Sequence, residues 1–452
     1  MGMTSRSLLP LLCCLIGVLR GPSVSGQQAE PAEVGRARIV FASTNTPPSN
    51  KVVWWIMDPD GTHREVLDPS AIVRSCPPVP KGLGCPLNPV VSDARNDAGS
   101  IVLFERTEAT RNVSEDKIRR RLALRETGCF MPALSPQGDK VAFLATGALP
   151  PALPWNGTYL CISDTSKAPE VKVRIPMKGA AELNWSPDGE WLTLCGEGHN
   201  AGCATGLSFI KADGTAHHVI PDLGYRSGLW SPDGRRLAYV TSPPLLTHPV
   251  DPLPGGPDPW KPEPFPAEVF LFRPEGGEKT SIHKGRALPL AWSPDGEWIV
   301  CLRTVDRDPR PATTLTLIKA DGSAERDISP EGLPGVVSWS PDGSRIAFWM
   351  VGLGVEESRL HVVQFDGTGE RIPLRTRGSA VDSPAWSPDG QFLVTAATPR
   401  ITDNAAPPGD PGFHERMNVY LIPMDGSEPL QLTSDVTPNS HTATAFWVVA
   451  KK

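Results

Sequence analysis

Short apolar runs recur along this chain, and polar turns separate them. Leu237 to Val240, Trp298 to Cys301 and Ile346 to Trp349 are rich in β-branched and aromatic side chains, and each follows a Ser-Pro-Asp-Gly string. In such a turn Pro arrives with its φ set, Asp accepts local backbone N–H groups, and Gly takes the positive φ that closes the bend. A tight turn followed by a strand-like run predicts a hairpin. A second kind of run, at 209–215, 317–323, 362–368 and 421–427, carries Asp-Gly followed by Ser or Thr. An early copy lies at 56–62 and a drifted one, Pro-Glu-Gly-Gly, at 271–277. Asp-Gly between strand-like runs is a short-range hairpin signal.

The two signals alternate, and the alternation repeats. Trp-Ser-Pro-Asp-Gly starts at Trp185, Trp230, Trp292, Trp339 and Trp386, with a worn copy, Leu-Ser-Pro-Gln-Gly, at Leu134. One repeat therefore holds four strands, A to D, with Ser-Pro-Asp-Gly joining A to B and Asp-Gly joining C to D. Four strands per repeat make a propeller blade. The paired signatures resemble the TolB-type propeller repeat, a relative of the WD-repeat blade. The resemblance covers 37–450 and implies a single domain, without the N-terminal α/β domain of TolB itself. The expected fold is all-β, a β-propeller of four-stranded blades.

Clear blades are expected to begin near Phe130, Ala181, Gly228, Leu288, Val336 and Ser383. Upstream, 38–42, 51–57 and 63–67 supply strands B, C and D of a blade that lacks its strand A. The C-terminal run 442–449, with Phe446 and Trp447, is expected to complete that blade and lock the chain ends together. A degenerate blade fits at 88–93 and 101–104. Its remaining strands are hard to find in 112–125, a charged stretch that also reads as helix. The expected total is eight blades, or seven if that segment is an insertion.

Composition narrows the function. The net charge is −6, and clustered cations of the kind that bind phosphate backbones are not a feature of an acidic chain. No nucleic-acid partner is expected, and the basic run 117–121 reads as a solvated face. Arg6 precedes an apolar stretch at 8–19, too short to span a bilayer. Small residues follow at Ser23, Ser25 and Gly26. Residues 1–26 are thus expected to be a cleaved signal peptide and 27–36 a short linker, which points to a periplasmic or secreted protein. Cys13 and Cys14 lack the small residue expected before a lipidated Cys, so no lipoprotein is expected. Nor is a transmembrane segment.

Export permits disulfides. Cys76 and Cys85 bracket a Pro/Gly loop, and Cys195 and Cys203 bracket a B-to-C loop; both are candidate pairs. The pairing of Cys129 and Cys161 stays open, and Cys301 is the expected odd thiol.

The A-to-B and C-to-D turns are short, whereas the B-to-C connections at 146–156, 196–206, 241–266, 304–312 and 399–415 are long. Binding residues lie on such loops more often than in cores. The proline-rich insertion 241–266 holds His248 and Trp260, which serve either a partner or nothing. Glu182, Arg226, Arg286 and Asp382 stand at the entry to strand A, where they line a channel mouth or a solvated rim. The repeated Trp reads as packing between blades. No Gly-x-Ser-x-Gly elbow, His-x-x-x-His pair or zinc-like Cys spacing occurs, so no catalytic residue, metal or cofactor is expected. The reading is a non-catalytic binding or scaffold propeller engaging a protein or cell-envelope partner. The alternatives are a propeller enzyme acting on glycans (a metal-assisted lyase or hydrolase, with His199, His248, His414 and His441 as possible ligands) and a lone propeller regulating a separate peptidase. The oligomeric state stays open.

Overall fold

A computed structural model describes residues 37–44, 52–67, 90–92, 101–104, 119–122, 130–147, 157–165, 171–177, 182–195, 207–220, 228–241, 268–305, 312–351, 357–377, 381–398, 418–433 and 445–449. Every regular element among them is a β-strand. The chain opens with β1 (Ala37–Thr44), β2 (Val52–Met57) and β3 (Glu65–Leu67). A shorter set follows: β4 (Val90–Ser92), β5 (Ile101–Phe104) and β6 (Arg119–Leu122). The next three sets are β7 (Phe130–Leu134), β8 (Lys140–Gly147), β9 (Gly157–Asp164) and β10 (Val171–Met177); β11 (Glu182–Trp185), β12 (Trp191–Cys195), β13 (Leu207–Lys211) and β14 (His217–Ile220); and β15 (Leu229–Trp230), β16 (Leu237–Thr241), β17 (Glu268–Arg273) and β18 (Glu278–Lys284). Then come β19 (Ala287–Trp292), β20 (Trp298–Val305), β21 (Ala312–Lys319) and β22 (Glu325–Asp327), and β23 (Pro334–Trp339), β24 (Arg345–Met350), β25 (Glu357–Gln364) and β26 (Arg371–Arg377). The last are β27 (Ala385–Trp386), β28 (Phe392–Ala397), β29 (Asn418–Pro423), β30 (Leu430–Gln431) and β31 (Ala445–Val449).

These strands form seven four-stranded sheets and one three-stranded sheet. Six of the four-stranded sheets take their strands in unbroken sequence order. The seventh runs β3-β2-β1-β31, so the last strand of the chain pairs antiparallel with the first, Ile39 opposite Trp447 and Phe41 opposite Ala445. The expected blade starts fall within three residues of β7, β11, β15, β19, β23 and β27. The stretch 112–125 departs from the helical alternative: β6 lies in it and pairs antiparallel with β5, Ile101 opposite Leu122. β6 is the outer strand of the order β4-β5-β6.

The turns explain why the strands pair as they do. In each full Ser-Pro-Asp-Gly copy the buried Ser hydroxyl donates to the Asp carboxylate two residues on. The same carboxylate oxygen accepts the N–H of the residue after Gly. The Ser oxygen in turn accepts the N–H that opens or precedes strand B. The Ser hydroxyl, one Asp oxygen and two backbone N–H groups are thus satisfied within each bend. The worn copy solves the problem differently. Gln137 replaces Asp, Ser135 donates to Asp139 instead, and the freed Gln137 amide donates to the Asp188 carbonyl of the next repeat at 2.8 Å.

Cα proximity divides the chain into two compact units, 1–86 with 290–318 and 325–452, and 87–289 with 319–324. Within each, the core lies between successive sheets. In the second unit Ala142, Leu144, Leu160 and Ile162 of one sheet pack on Leu183, Leu192, Leu194 and Ile210 of the next. In the first, Ile39, Phe41 and Met57 pack on Val394, Val419 and Leu421. Middle strands are sandwiched and read as continuous apolar runs, as in β24 and β28, whereas outer strands such as β14 alternate or face water. Burial of these interlocking faces, at about 25 cal/mol per Å² of apolar surface, is the main source of stability.

Candidate binding site

Because strands alternate in direction, the A-to-B and C-to-D turns of a sheet share one end, and its B-to-C and D-to-A connections share the other. The turn end is closed chemically. Gly189, Gly234, Gly296, Gly343 and Gly390 all have φ between 68° and 74°, and within each unit neighbouring turns sit on one another. A Cβ on Gly234 would lie 2.5 Å from the Asp188 carboxyl carbon, and Arg345 donates to the Gly390 carbonyl at 2.7 Å. At the C-to-D turns, Asp60, Asp213, Asp321 and Asp366 each accept both the hydroxyl and the N–H of the Thr or Ser two residues on.

The motif tryptophans are structural. Trp230, Trp292, Trp339 and Trp386 are buried. Trp185 Nε1 donates to the Ala133 carbonyl and Trp386 Nε1 to the Ser338 carbonyl, in each case on strand A of the preceding sheet. Phe209 meets the edge of Trp230 with ring centroids 6.1 Å apart, and Phe365 is wedged between Trp298 and Trp339. Arg326 lies over both Trp298 and Phe365. The rings are used up in packing, which leaves them no face for a sugar.

Of the residues expected at the strand A entries, Asp382, Arg286 and Glu182 are described. Glu182 opens β11, opposite Cys195, and the half-buried Arg286 precedes β19. Asp382 departs from a solvated rim: it is 5 % exposed. Its N–H donates to the Ala396 carbonyl at 2.8 Å, and its own carbonyl accepts the Thr395 hydroxyl at 3.0 Å. Its carboxyl Oδ2 accepts the N–H of Ala445, the first residue of β31, at 3.1 Å. Burial pushes this carboxyl up to about 7, against the opposing pull of the Ser383 and Ala445 N–H groups. Arg226, His248, Trp260, Cys76, Cys85 and Cys203 lie outside the described residues, as do His199, His414 and His441. Both candidate disulfides therefore lie there at one end or both. Cys301 is buried, and burial raises its thiol pKa.

The role of Asp382 was not legible as such, yet a signal exists. It stands four residues before Trp386, where the equivalent positions of other repeats hold Ala181, Arg226, Leu288 and Gly335. A lone acid in that column marks a repeat with a special neighbour. Among the described residues no group of three or more His, Cys, Asp or Glu gathers as metal ligands would, and no helix is long and apolar enough to cross a membrane.

Comparison with known proteins places these sheets in context. No family model matches the chain. A curated relative, the uncharacterized peptidase YuxL of Bacillus subtilis, is 28% identical over 188 residues, which is 40% of this chain. The match spans only 23% of that relative's length. Similar solved structures include TolB and other β-propeller proteins. TolB from Acinetobacter baumannii is 14% identical, with 91% of this chain and 82% of that one covered and a TM-score of 0.34. The β-propeller domain of the Trilobed protease from Pyrococcus furiosus is 13% identical, with 93% and 98% covered and a TM-score of 0.39.

Proposed function

We propose that this protein is a non-catalytic binding or scaffold propeller, exported to the periplasm or beyond, that engages a protein or cell-envelope partner. In this reading the eight sheets are eight blades of one ring, with β31 as strand A of the first blade. The partner meets the face bearing the B-to-C and D-to-A connections, to which His248, Trp260, Glu182, Arg226 and Arg286 belong. The observation that carries the proposal is the contrast between the two ends of each sheet. The turn end is short and saturated with its own hydrogen bonds. The opposite end holds the connections that vary most in length, such as 242–267 between β16 and β17. Variable loops on a repeated rigid frame are where recognition evolves.

The likeness to a peptidase favours a second reading, in which the chain serves a separate peptidase as its propeller. One experiment addresses both. The full chain and a variant with 242–267 shortened are used to capture partners from the native envelope, and the bound proteins are identified by mass spectrometry. The variant should fold with an unchanged melting temperature and lose the partner. Equal capture by the two chains would refute the proposed face, and a peptidase in the eluate would favour the second reading.

A further inference from the structure

We propose that Asp382 is a protonation-dependent latch on the C-terminal strand: neutral, it holds β31 in the first sheet, and ionised, it lets that strand go more readily. The inference stands on placement. Among the described strands, β31 alone sits far in sequence from its sheet partners, since it pairs with β1. Its first residue, Ala445, is held by the Asp382 carboxyl, 63 positions upstream, through a buried hydrogen bond of 3.1 Å. Asp382 is itself fixed to β28 through Ala396 and Thr395. The carboxyl thus bridges the terminal strand and the neighbouring sheet.

Among the described residues, no charged side chain on the strands around the carboxyl offsets its ionisation. β27, β28 and β31 carry no ionisable side chain. The single charged residue of β1, Arg38, is engaged by Asp58 and Glu65. On β29 the Tyr420 hydroxyl is turned to the Thr398 carbonyl. Among the described residues the carboxylate would therefore face the N–H groups of Ser383 and Ala445 alone, too little to replace the water it has lost. A neutral carboxyl keeps the Ala445 bond, because its carbonyl oxygen accepts the same N–H.

The sign follows from linkage. With β31 docked the carboxyl titrates near 7; with β31 released and Asp382 wetted it returns to about 4. The docked state therefore binds the extra proton between these values. Release becomes easier as pH rises from about 4 to about 7, by up to tenfold per pH unit, and levels off above that.

Hydrogen exchange of the full chain tests this, read on a C-terminal peptide covering 445–449 and corrected for the intrinsic pH dependence of exchange. Protection of that peptide should fall at least tenfold between pH 5.0 and pH 7.5, and in Asp382→Asn it should be the same at both. Equal protection of the wild-type peptide at the two pH values overturns the latch, whether or not the variant folds. So does an Asp382→Asn chain that retains the wild-type dependence.

Discussion

Trp447 donates its indole N–H to the carbonyl of Ala385 at 3.1 Å. Trp386 makes the same bond to Ser338, and Trp185 makes it to Ala133. In each case the acceptor is the residue just before the motif position of the preceding sheet. Trp447 is therefore the strand A tryptophan of the first sheet, supplied from the far end of the chain. It also packs against Phe392, with ring centroids 6.4 Å apart. Trp447→Phe should keep most of the packing and lose the hydrogen bond, at a cost of about 1 kcal/mol. Trp447→Ala should cost about 3 kcal/mol. Chemical denaturation checks both values, and an Ala variant as stable as the Phe variant would show that β31 adds nothing to the sheet.

Gly234 makes the turn geometry testable. Its φ is +74°, and an added Cβ would fall 2.5 Å from the Asp188 carboxyl carbon. Gly234→Val combines backbone strain with that collision and should cost roughly 1–3 kcal/mol. Gly426 is the control: its φ is +103°, with nothing within 4 Å of a Cβ. Gly426→Ala should pay for the backbone alone and lower the melting temperature less than Gly234→Ala. Equal losses would mean that contact between successive turns is not part of the effect.

Much of this molecule was readable from its turns. Local chemistry sets them, so Ser-Pro-Asp-Gly and Asp-Gly mark hairpins wherever they occur. The strand starts of β7, β11, β15, β19, β23 and β27 follow directly. Where the local signal is worn, reading failed. β6 carries Arg119, Arg120 and Arg121, and only its pairing with β5 makes it a strand. Burial was also opaque. Asp382 looks like any rim acid in sequence, since the strand that bonds its carboxyl comes from 63 residues away. The C-terminal run was expected to supply the strand A that the first sheet lacks, and β31 pairs with β1 there; what the sequence did not show was the indole bond from Trp447 to Ala385.

Cys301 lies on β20 with no exposed surface, and burial raises its thiol well above the ordinary range. Thiolate is the reactive form, so this residue should be inert in the native protein. Iodoacetamide at pH 8 followed by peptide mapping should leave Cys301 unmodified, and the same treatment in denaturant should label it fully. Labelling of the native chain would contradict the full burial of Cys301 on β20. Cys301→Ser would bury a hydroxyl in place of the thiol and should cost about 1–3 kcal/mol.

The acid limb of stability should come from the C-to-D turns. The Ser323 hydroxyl, the Ser323 N–H and Lys319 hold the Asp321 carboxyl well below the usual carboxylate range. The hydroxyls of Thr62, Thr215 and Thr368 act likewise on Asp60, Asp213 and Asp366. A carboxyl lowered in the folded state adds stability that is present above its unfolded pKa, near 4, and is lost as pH falls through the folded value. These turns should therefore weaken only below about pH 4, beneath the window in which Asp382 titrates and with the opposite slope. Asp321→Asn removes one such contribution while keeping an acceptor oxygen for the Ser323 N–H. Its melting temperature should lie below wild type at pH 7 and approach it by pH 2.5. Two curves that stay parallel over that range would show that the charge of Asp321, as distinct from its shape, plays no part in closing the bend.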